Sequence, residues 1–379
     1  MKLKPFLLDE WLNHYHFSDP PIRFDLASST GPAWTAKEIW GLMSPDQQRE
    51  IDEAPLLYCH GSGTKELRRA IADMQGVEPD SVQIMTGAAE ALLVLFFLAA
   101  EPGANVVLPF PGFPPFDALP QSFGIETRHY RLRPENQFRI DLEEIKSRVD
   151  RNTKLILVNS PHNPTGATLA DAEMLLLHDF AAEREVQFVV DEVYHPLYHG
   201  QETASASALP RATVLGDFSK AFCLSGLRVG WIVERNRDRM EQYLNARSYF
   251  TVSNTTIGEA MALCAVQHRE AIFSRLRQAA ASNLTILDAF FQRTSDVLGW
   301  VRPRGGMTGL PWLIGERDSR PFCERVAEHG ILLAPGDCFG MPNHFRLGFA
   351  AAEAGFSDAL ADLEALMRRE TPVAAQKRA

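Results

Sequence analysis

The sequence is poor in the features that mark disulfide scaffolds, membrane proteins and nucleic-acid binders. It has five cysteines in 379 residues, Cys59, Cys223, Cys264, Cys323 and Cys338. They are odd in number, far apart and without a CxxC pair, so neither a disulfide framework nor a zinc knuckle is expected; they read as small buried hydrophobes. Long apolar runs are missing too. The longest, Ala88 to Ala100, is broken by Glu90 and falls short of the roughly 20 residues a spanning helix needs. No basic-apolar leader precedes Asp9-Glu10, which points to a cytoplasmic protein. Positive charge is in deficit: 38 Lys+Arg against 48 Asp+Glu gives a net charge of −10. That argues against a nucleic-acid or anionic-membrane binder, which needs a basic stripe to neutralise phosphates, and no basic helix-turn-helix segment suggests a DNA-bound regulator. HExxH, GxSxG and GxxxxGK[ST] are absent, which removes the zinc-protease, serine-hydrolase and P-loop readings.

What is present is an ordinary globular composition, 45% hydrophobic and 23% charged, long enough for a large core and two lobes. Strand-length apolar runs at Val82–Met85, Asn105–Leu108, Lys154–Asn159, Glu185–Asp191 and Thr213–Asp217 alternate with helical patterns such as Leu169–Glu183. This alternation predicts an α/β protein whose mostly parallel sheet lies between helices. The two chain ends read differently, with shorter elements around turns such as Arg304-Gly305-Gly306. We therefore expect a large domain over residues 46–282 and a smaller α+β domain built from residues 1–45 and 283–379, with the tail 371–379 frayed.

In a parallel sheet, ligands bind beyond the carboxyl ends of the strands, so the residues following each apolar run carry the functional information. Thr86-Gly87-Ala88-Ala89 opens a helix with small residues, which lets backbone N–H groups approach a phosphate. Pro109-Phe110-Pro111-Gly112-Phe113 is a rigid turn presenting a ring. Ser160-Pro161-His162-Asn163-Pro164-Thr165-Gly166 fixes an amide side chain on a stiff backbone. Asp191 ends a buried strand, where a carboxylate costs desolvation unless it meets a cation, and Tyr194 follows it. Ser219-Lys220 follows another apolar strand, with Arg228 eight residues on. Burial and nearby cations lower a lysine pKa, which yields the neutral amine that Schiff-base chemistry requires.

Together these residues resemble the fold-type-I pyridoxal-phosphate enzymes of the class I/II aminotransferase superfamily, over nearly the whole chain. The resemblance is carried by His162-Asn163-Pro164-Thr165-Gly166, Asp191 with Tyr194, Ser219-Lys220 with Arg228, and Phe345-Arg346-Leu347-Gly348. It implies pyridoxal 5'-phosphate as cofactor and transfer of an amino acid's α-amino group to a 2-oxo acid. Lys220 would be the Schiff-base lysine and proton shuttle, Asp191 the partner of the pyridine nitrogen, and Asn163 and Tyr194 the donors to the phenolate oxygen. Phe113 would stack on the ring, and Gly87, Ala88 and Arg228 would hold the phosphate. Tyr58 matches a tyrosine that reaches the neighbouring subunit's phosphate, which implies a homodimer with shared sites. Arg346 would clamp the substrate carboxylate, and Thr30 and Gly31 lie in the segment that contacts substrate.

One position departs from the pattern. Three residues before the lysine the family commonly has Ser or Thr for the phosphate, and here it is Asp217. Because a carboxylate repels a phosphate, Asp217 is expected to turn away or to pair with Arg228. Local stretches, among them Leu8-Asp9-Glu10-Trp11-Leu12 and Pro335-Gly336-Asp337-Cys338-Phe339-Gly340, are similar to the capreomycidine-synthase type, relatives that cyclise a hydroxylated arginine. The alternative reading is therefore a cyclase or β-elimination enzyme in which Asp9 or Glu10 meets a guanidinium.

Overall fold

The computed structural model describes residues 3–315, 317–351 and 355–370; the tail 371–379, expected to fray, lies outside the described residues. The apolar runs form a seven-stranded sheet. In chain order its strands are β1 (Val82–Met85), β2 (Asn105–Phe110), β3 (Glu126–Arg131), β4 (Thr153–Asn159), β5 (Gln187–Asp191), β6 (Ala212–Asp217) and β7 (Gly230–Val233). Their spatial order is β1-β7-β6-β5-β4-β2-β3, and β7 alone runs against its neighbours.

Successive side chains of a strand face opposite sides, and here both sides are covered. Leu155 and Leu157 of β4 join the core beneath the helix Gly87–Leu98, whereas Ile156 and Val158 join the opposite core with Leu67, Met174 and Leu177. Burial on both faces is why these strands read as unbroken apolar runs instead of alternating ones. Observed and expected ends differ by a residue or two. The expected strand at Glu185 starts at Gln187, because Glu185 takes a φ of +57° in the turn leaving the helix Asp171–Glu183. That helix starts two residues later than Leu169, where the Glu173 carboxylate accepts from the Ala170 N–H at 3.0 Å and satisfies a free donor of the first turn.

Residues from the two chain ends share a third core: Leu8, Trp11, Leu26 and Ala27 pack with Leu284, Phe290, Phe345 and Leu360. Trp11 Nε1 donates to Leu333 O at 2.9 Å, and Phe24–Asp25 pairs in parallel with Ile331–Leu332. One helix, Arg269–Arg293, runs 25 residues without Pro or Gly. Its Ile272 and Phe273 belong to one core of the large sheet, and Leu276 to Phe291 belong to the chain-end core. The boundary expected at 282/283 falls inside it.

No disulfide joins the described cysteines: Cys264, Cys323 and Cys338 are buried, Cys59 and Cys223 half-buried. Among the described residues no helix is long and apolar enough to cross a membrane.

Candidate active site

Strand register gathers the chemically active residues at one edge of the sheet. Asn159 lies opposite Asp191, and Asp191 opposite Leu215, two residues before Asp217. Asp217 pairs with Gly230, which also faces Met85, the residue before Thr86-Gly87. The carboxyl ends of β1, β4, β5 and β6 thus line a cavity of about 230 Å³, walled by Ser29, Phe113, Asn163, Asp191, Tyr194 and Lys220 among others.

Lys220 projects into this cavity from the turn after β6, and its Nζ donates to Ser29 Oγ at 2.9 Å and Ser29 O at 3.1 Å. Burial, with Arg346 and Arg228 nearby, lowers its pKa from 10.5 to about 8; Asp217 and Asp191 oppose the shift. An amine near neutrality is a nucleophile and a base, which a surface lysine is not. Asp191 is 4% exposed, and its Oδ1 accepts from the Val193 N–H at 3.1 Å. Burial pushes its pKa up to about 7, helped by Asp217 and opposed by the Val193 amide and Lys220. An acid held this way waits for a cationic or protonated partner. Its position is braced by Asn159, whose Nδ2 donates to Asp191 O at 3.0 Å while its Oδ1 accepts from Asn163 N at 2.8 Å.

Two donors in the same wall lack acceptors. Tyr194 Oη is buried without a hydrogen-bond partner among the described residues; burial pushes the phenol up to about 12, with Ser29 and Arg346 tempering the rise. Among the described residues nothing accepts from Asn163 Nδ2, and its Oδ1 receives Arg346 Nη1 at 3.4 Å. Arg346, on the strand Phe345–Gly348, is 2% exposed. Its Nε and Nη2 donate to Ala27 O at 3.0 and 2.6 Å, and its guanidinium lies 5.1 Å from the Phe339 ring centroid. No described carboxylate pairs with it, so it is a buried cation rather than half of a surface ion pair. Such a group costs stability by itself and points to an anionic ligand.

The phosphate side is built around Gly87, which has a φ of +76°; a Cβ placed there would lie 2.6 Å from Arg228 Nη2 and 3.2 Å from Asp217 Oδ2. Only glycine combines that backbone with that approach. Arg228 is exposed, and its Nη1 donates to Ser219 Oγ at 3.2 Å and Ser225 O at 3.1 Å. The expectation for Asp217 is corrected on both counts. It neither turns away nor pairs with Arg228: Oδ2 accepts from the Ala88 N–H at 2.7 Å and Oδ1 from the Ser219 N–H. Backbone amides are within reach at the helix start, and they satisfy the carboxylate more directly than the arginine does.

Phe113 lines the cavity and meets Phe6 edge-on, ring centroids 6.1 Å apart. Of the segment expected to contact substrate, Ser29 is in the cavity wall and Thr30 and Gly31 are not; a Cβ at Gly31 would run into Cys223 and Leu276. Tyr58 is 84% exposed and lies outside this chain's own cavity. Asp9 and Glu10 are exposed on the helix Leu7–His16, with Asp9 accepting from Asn13 at 3.2 Å, so neither enters the wall. Sequence reasoning missed the roles of Ser29 and Asn159 at this site. Asn159 sits at the end of an apolar run and could have been found by the strand-end rule; Ser29 carries no such signal.

A cavity with a lysine of lowered pKa, a buried acid, two idle donors and a helix start beside an arginine fits a pyridoxal-phosphate enzyme. The chain matches the family described as aminotransferase class I and II over residues 41–362, and it belongs to that family. It is 31% identical over 350 residues to capreomycidine synthase of Streptomyces vinaceus, covering 90% of this chain and 88% of the relative. It is 26% identical over 325 residues to aspartate aminotransferase of Bacillus subtilis (strain 168), covering 80% and 82%. In three dimensions it is similar to a PLP-dependent aminotransferase from Streptococcus suis, with TM-score 0.90, 26% identity, and 97% and 99% of the two chains covered. It is equally similar in fold to the PLP-dependent cyclase OrfR, with TM-score 0.89, 26% identity and 98% of each chain covered. The cofactor is pyridoxal 5'-phosphate, and the idle Tyr194 and Asn163 donors fit its ring oxygen.

Proposed function

We propose that this enzyme is an aminotransferase that takes the α-amino group from an amino acid and passes it to a 2-oxo acid. The observation that carries the reading is the buried, near-neutral Lys220 amine facing the same cavity as Asp191, with the unpaired Arg346 guanidinium close enough to lower its pKa. Bound pyridoxal phosphate supplies an electron sink for charge that develops at the substrate Cα. In this reading Asn163 and Tyr194 hold the ring oxygen, Asp191 the ring nitrogen, Phe113 the ring face, and Gly87, Ala88 and Arg228 the phosphate.

The remaining work belongs to the protein. Arg346 holds the substrate carboxylate by a planar two-point contact and so aims the Cα hydrogen. Lys220 Nζ takes that proton, and Ser29 holds the amine in place through its hydroxyl and carbonyl oxygens. The exposed Tyr58, flanked by exposed Leu56 and Leu57, supports a homodimer in which each copy completes the other's phosphate site.

Borohydride reduction of the holoenzyme followed by peptide mapping is expected to label Lys220. A donor panel is expected to yield oxo acid as the cofactor absorbance changes. Labelling of another lysine, or no oxo acid from any donor, overturns the reading.

The second reading is elimination and ring closure on a hydroxylated arginine, favoured by the 31% identity to capreomycidine synthase. It ranks second because Asp191 is assigned to the ring nitrogen and both oxygens of Asp217, the other carboxylate in the cavity wall, already accept from the Ala88 and Ser219 amides. Mass analysis of turnover with hydroxyarginines separates the two: loss of water without oxo acid supports the cyclase, and unchanged substrate counts against it.

A further inference from the structure

Asp217 is the one charged group of the cavity that the proposed chemistry leaves without a task. Its carboxylate is buried at 6% exposure, and both oxygens are spent on amides at the site of the phosphate. Oδ2 receives the Ala88 N–H at 2.7 Å, and Oδ1 receives the Ser219 N–H. The Ala88 amide opens the 12-residue helix Gly87–Leu98 and is one of those to which the phosphate is assigned above. A hydroxyl at this place could donate to a phosphate oxygen; an ionised carboxylate can only accept. Of the two cations nearby, Lys220 feels the carboxylate through its pKa, whereas Arg228, next to Gly87's missing methyl, donates to Ser219 Oγ and Ser225 O instead.

We propose that Asp217 is a resident anion of the phosphate site, a carboxylate that competes with the cofactor's phosphate for the Ala88 amide and for the field of Arg228, and so makes the cofactor readily exchangeable. The proposal rests on the pyridoxal-phosphate reading of the cavity but not on which reaction follows. When the phosphate enters, the carboxylate either gives up the Ala88 N–H or stays and faces a second negative charge across a few ångströms of protein. Both weaken binding relative to a neutral side chain. Before the phosphate enters, the same carboxylate caps the helix start and satisfies its free amide. The field of Asp217 also reaches the catalytic pair, since it raises the pKa of both Asp191 and Lys220.

The test measures dissociation constants and release rates at pH 8 for pyridoxal 5'-phosphate and for phosphate-free pyridoxal, on wild type, Asp217→Asn and Asp217→Ser. The Asn variant is nearly isosteric and keeps one acceptor for the Ala88 amide, so it guards against misfolding in the Ser variant. Both variants are expected to bind pyridoxal 5'-phosphate at least tenfold more tightly, about 1.4 kcal/mol, and to release it more slowly, with pyridoxal affinity changed less than twofold. The cofactor-free variants are expected to melt at lower temperature than cofactor-free wild type. Unchanged or weaker binding of the phosphorylated form in both variants overturns the proposal, as does an equal gain for pyridoxal, which would route the effect through the ring or Lys220. If wild type binds neither compound at Lys220, the cofactor reading itself falls, and this proposal with it.

Discussion

Replacing Arg346 separates a substrate clamp from a structural brace. In Arg346→Met the stem stays apolar and the guanidinium goes. Ala27 O then loses the two donors at 3.0 and 2.6 Å, and Asn163 Oδ1 loses a long one at 3.4 Å. An unsatisfied buried carbonyl costs about 1–3 kcal/mol, but the variant also removes a buried cation with no described carboxylate partner, a cost of similar size. The two nearly cancel, so the stability of the variant stays within about 2 kcal/mol of wild type. The kinetic effect has no such offset. A fork of two charge-assisted hydrogen bonds to a carboxylate is worth about 3–4 kcal/mol, which corresponds to about a 10²- to 10³-fold loss in kcat/KM. Arg346→Lys keeps the charge but not the fork and recovers roughly half of that in free energy. The assay is stopped-flow absorbance of the bound cofactor on mixing with an amino acid and, in parallel, with the corresponding amine that lacks the carboxylate. The clamp predicts a large loss for the acid and little change for the amine. Equal losses for both, or a fall in folding free energy as large as the kinetic loss, would refute it. Arg346 also depresses Lys220, so the methionine variant is expected to react with free pyridoxal phosphate at a higher pH optimum.

The buried acid gives a pH signature in the cofactor-free protein. Asp191 rises from 3.8 to about 7 on folding, so between those values the folded state binds a proton that the unfolded state releases, and stability falls as pH rises through that window. Asp191→Asn should match wild type in denaturant midpoint below pH 4 and exceed it increasingly up to pH 7; parallel profiles would show that burial does not raise this group. Gly87→Ala places a methyl 2.6 Å from Arg228 Nη2 at a φ of +76°; cofactor binding should weaken at least tenfold by absorbance titration, with about 1–2 kcal/mol of stability lost. A wild-type-like titration would remove Gly87 from the phosphate site. If the proposed homodimer forms, Tyr58→Phe should leave its sedimentation coefficient unchanged while weakening cofactor binding severalfold, and unaltered binding would show that Tyr58 does not reach a neighbouring site.

The parts of the site legible in the sequence are those that follow buried parallel strands, because there the apolar run itself locates the strand end. Asp191 and Lys220 were found this way, and Asn163 by the stiffness of its Pro-flanked turn. What escaped depends on partners remote in the chain. Ser29 holds an amine 191 residues away, and nothing in its neighbourhood announces that. Glu90, read only as an interruption of an apolar run, is 6% exposed and bonded to the fully buried Arg247 at 3.3 Å. Arg247 also donates to Asn254 Oδ1, and Asn254 Nδ2 donates to Met85 O at 3.1 Å and Arg228 O at 3.0 Å. A charged network thus steadies the backbone on both sides of the phosphate site, which residue type alone does not disclose. Asp217 stands out in the sequence as an anomaly, but its partner does not, because the amide it caps comes from a residue 129 positions earlier.

The helix Arg269–Arg293 adds a mechanical constraint. At 1.5 Å per residue it is a shaft nearly 40 Å long, seated at Phe273 in one core and at Leu276 onward in the other. Lacking proline and glycine, it has no weak point at which to kink. Any swing of the Arg346-bearing strand toward Lys220 must therefore tilt or gently flex the whole shaft. Its first turns would then act as a bearing, and substitutions at Phe273 or Leu276 would be felt as altered closure rather than altered chemistry.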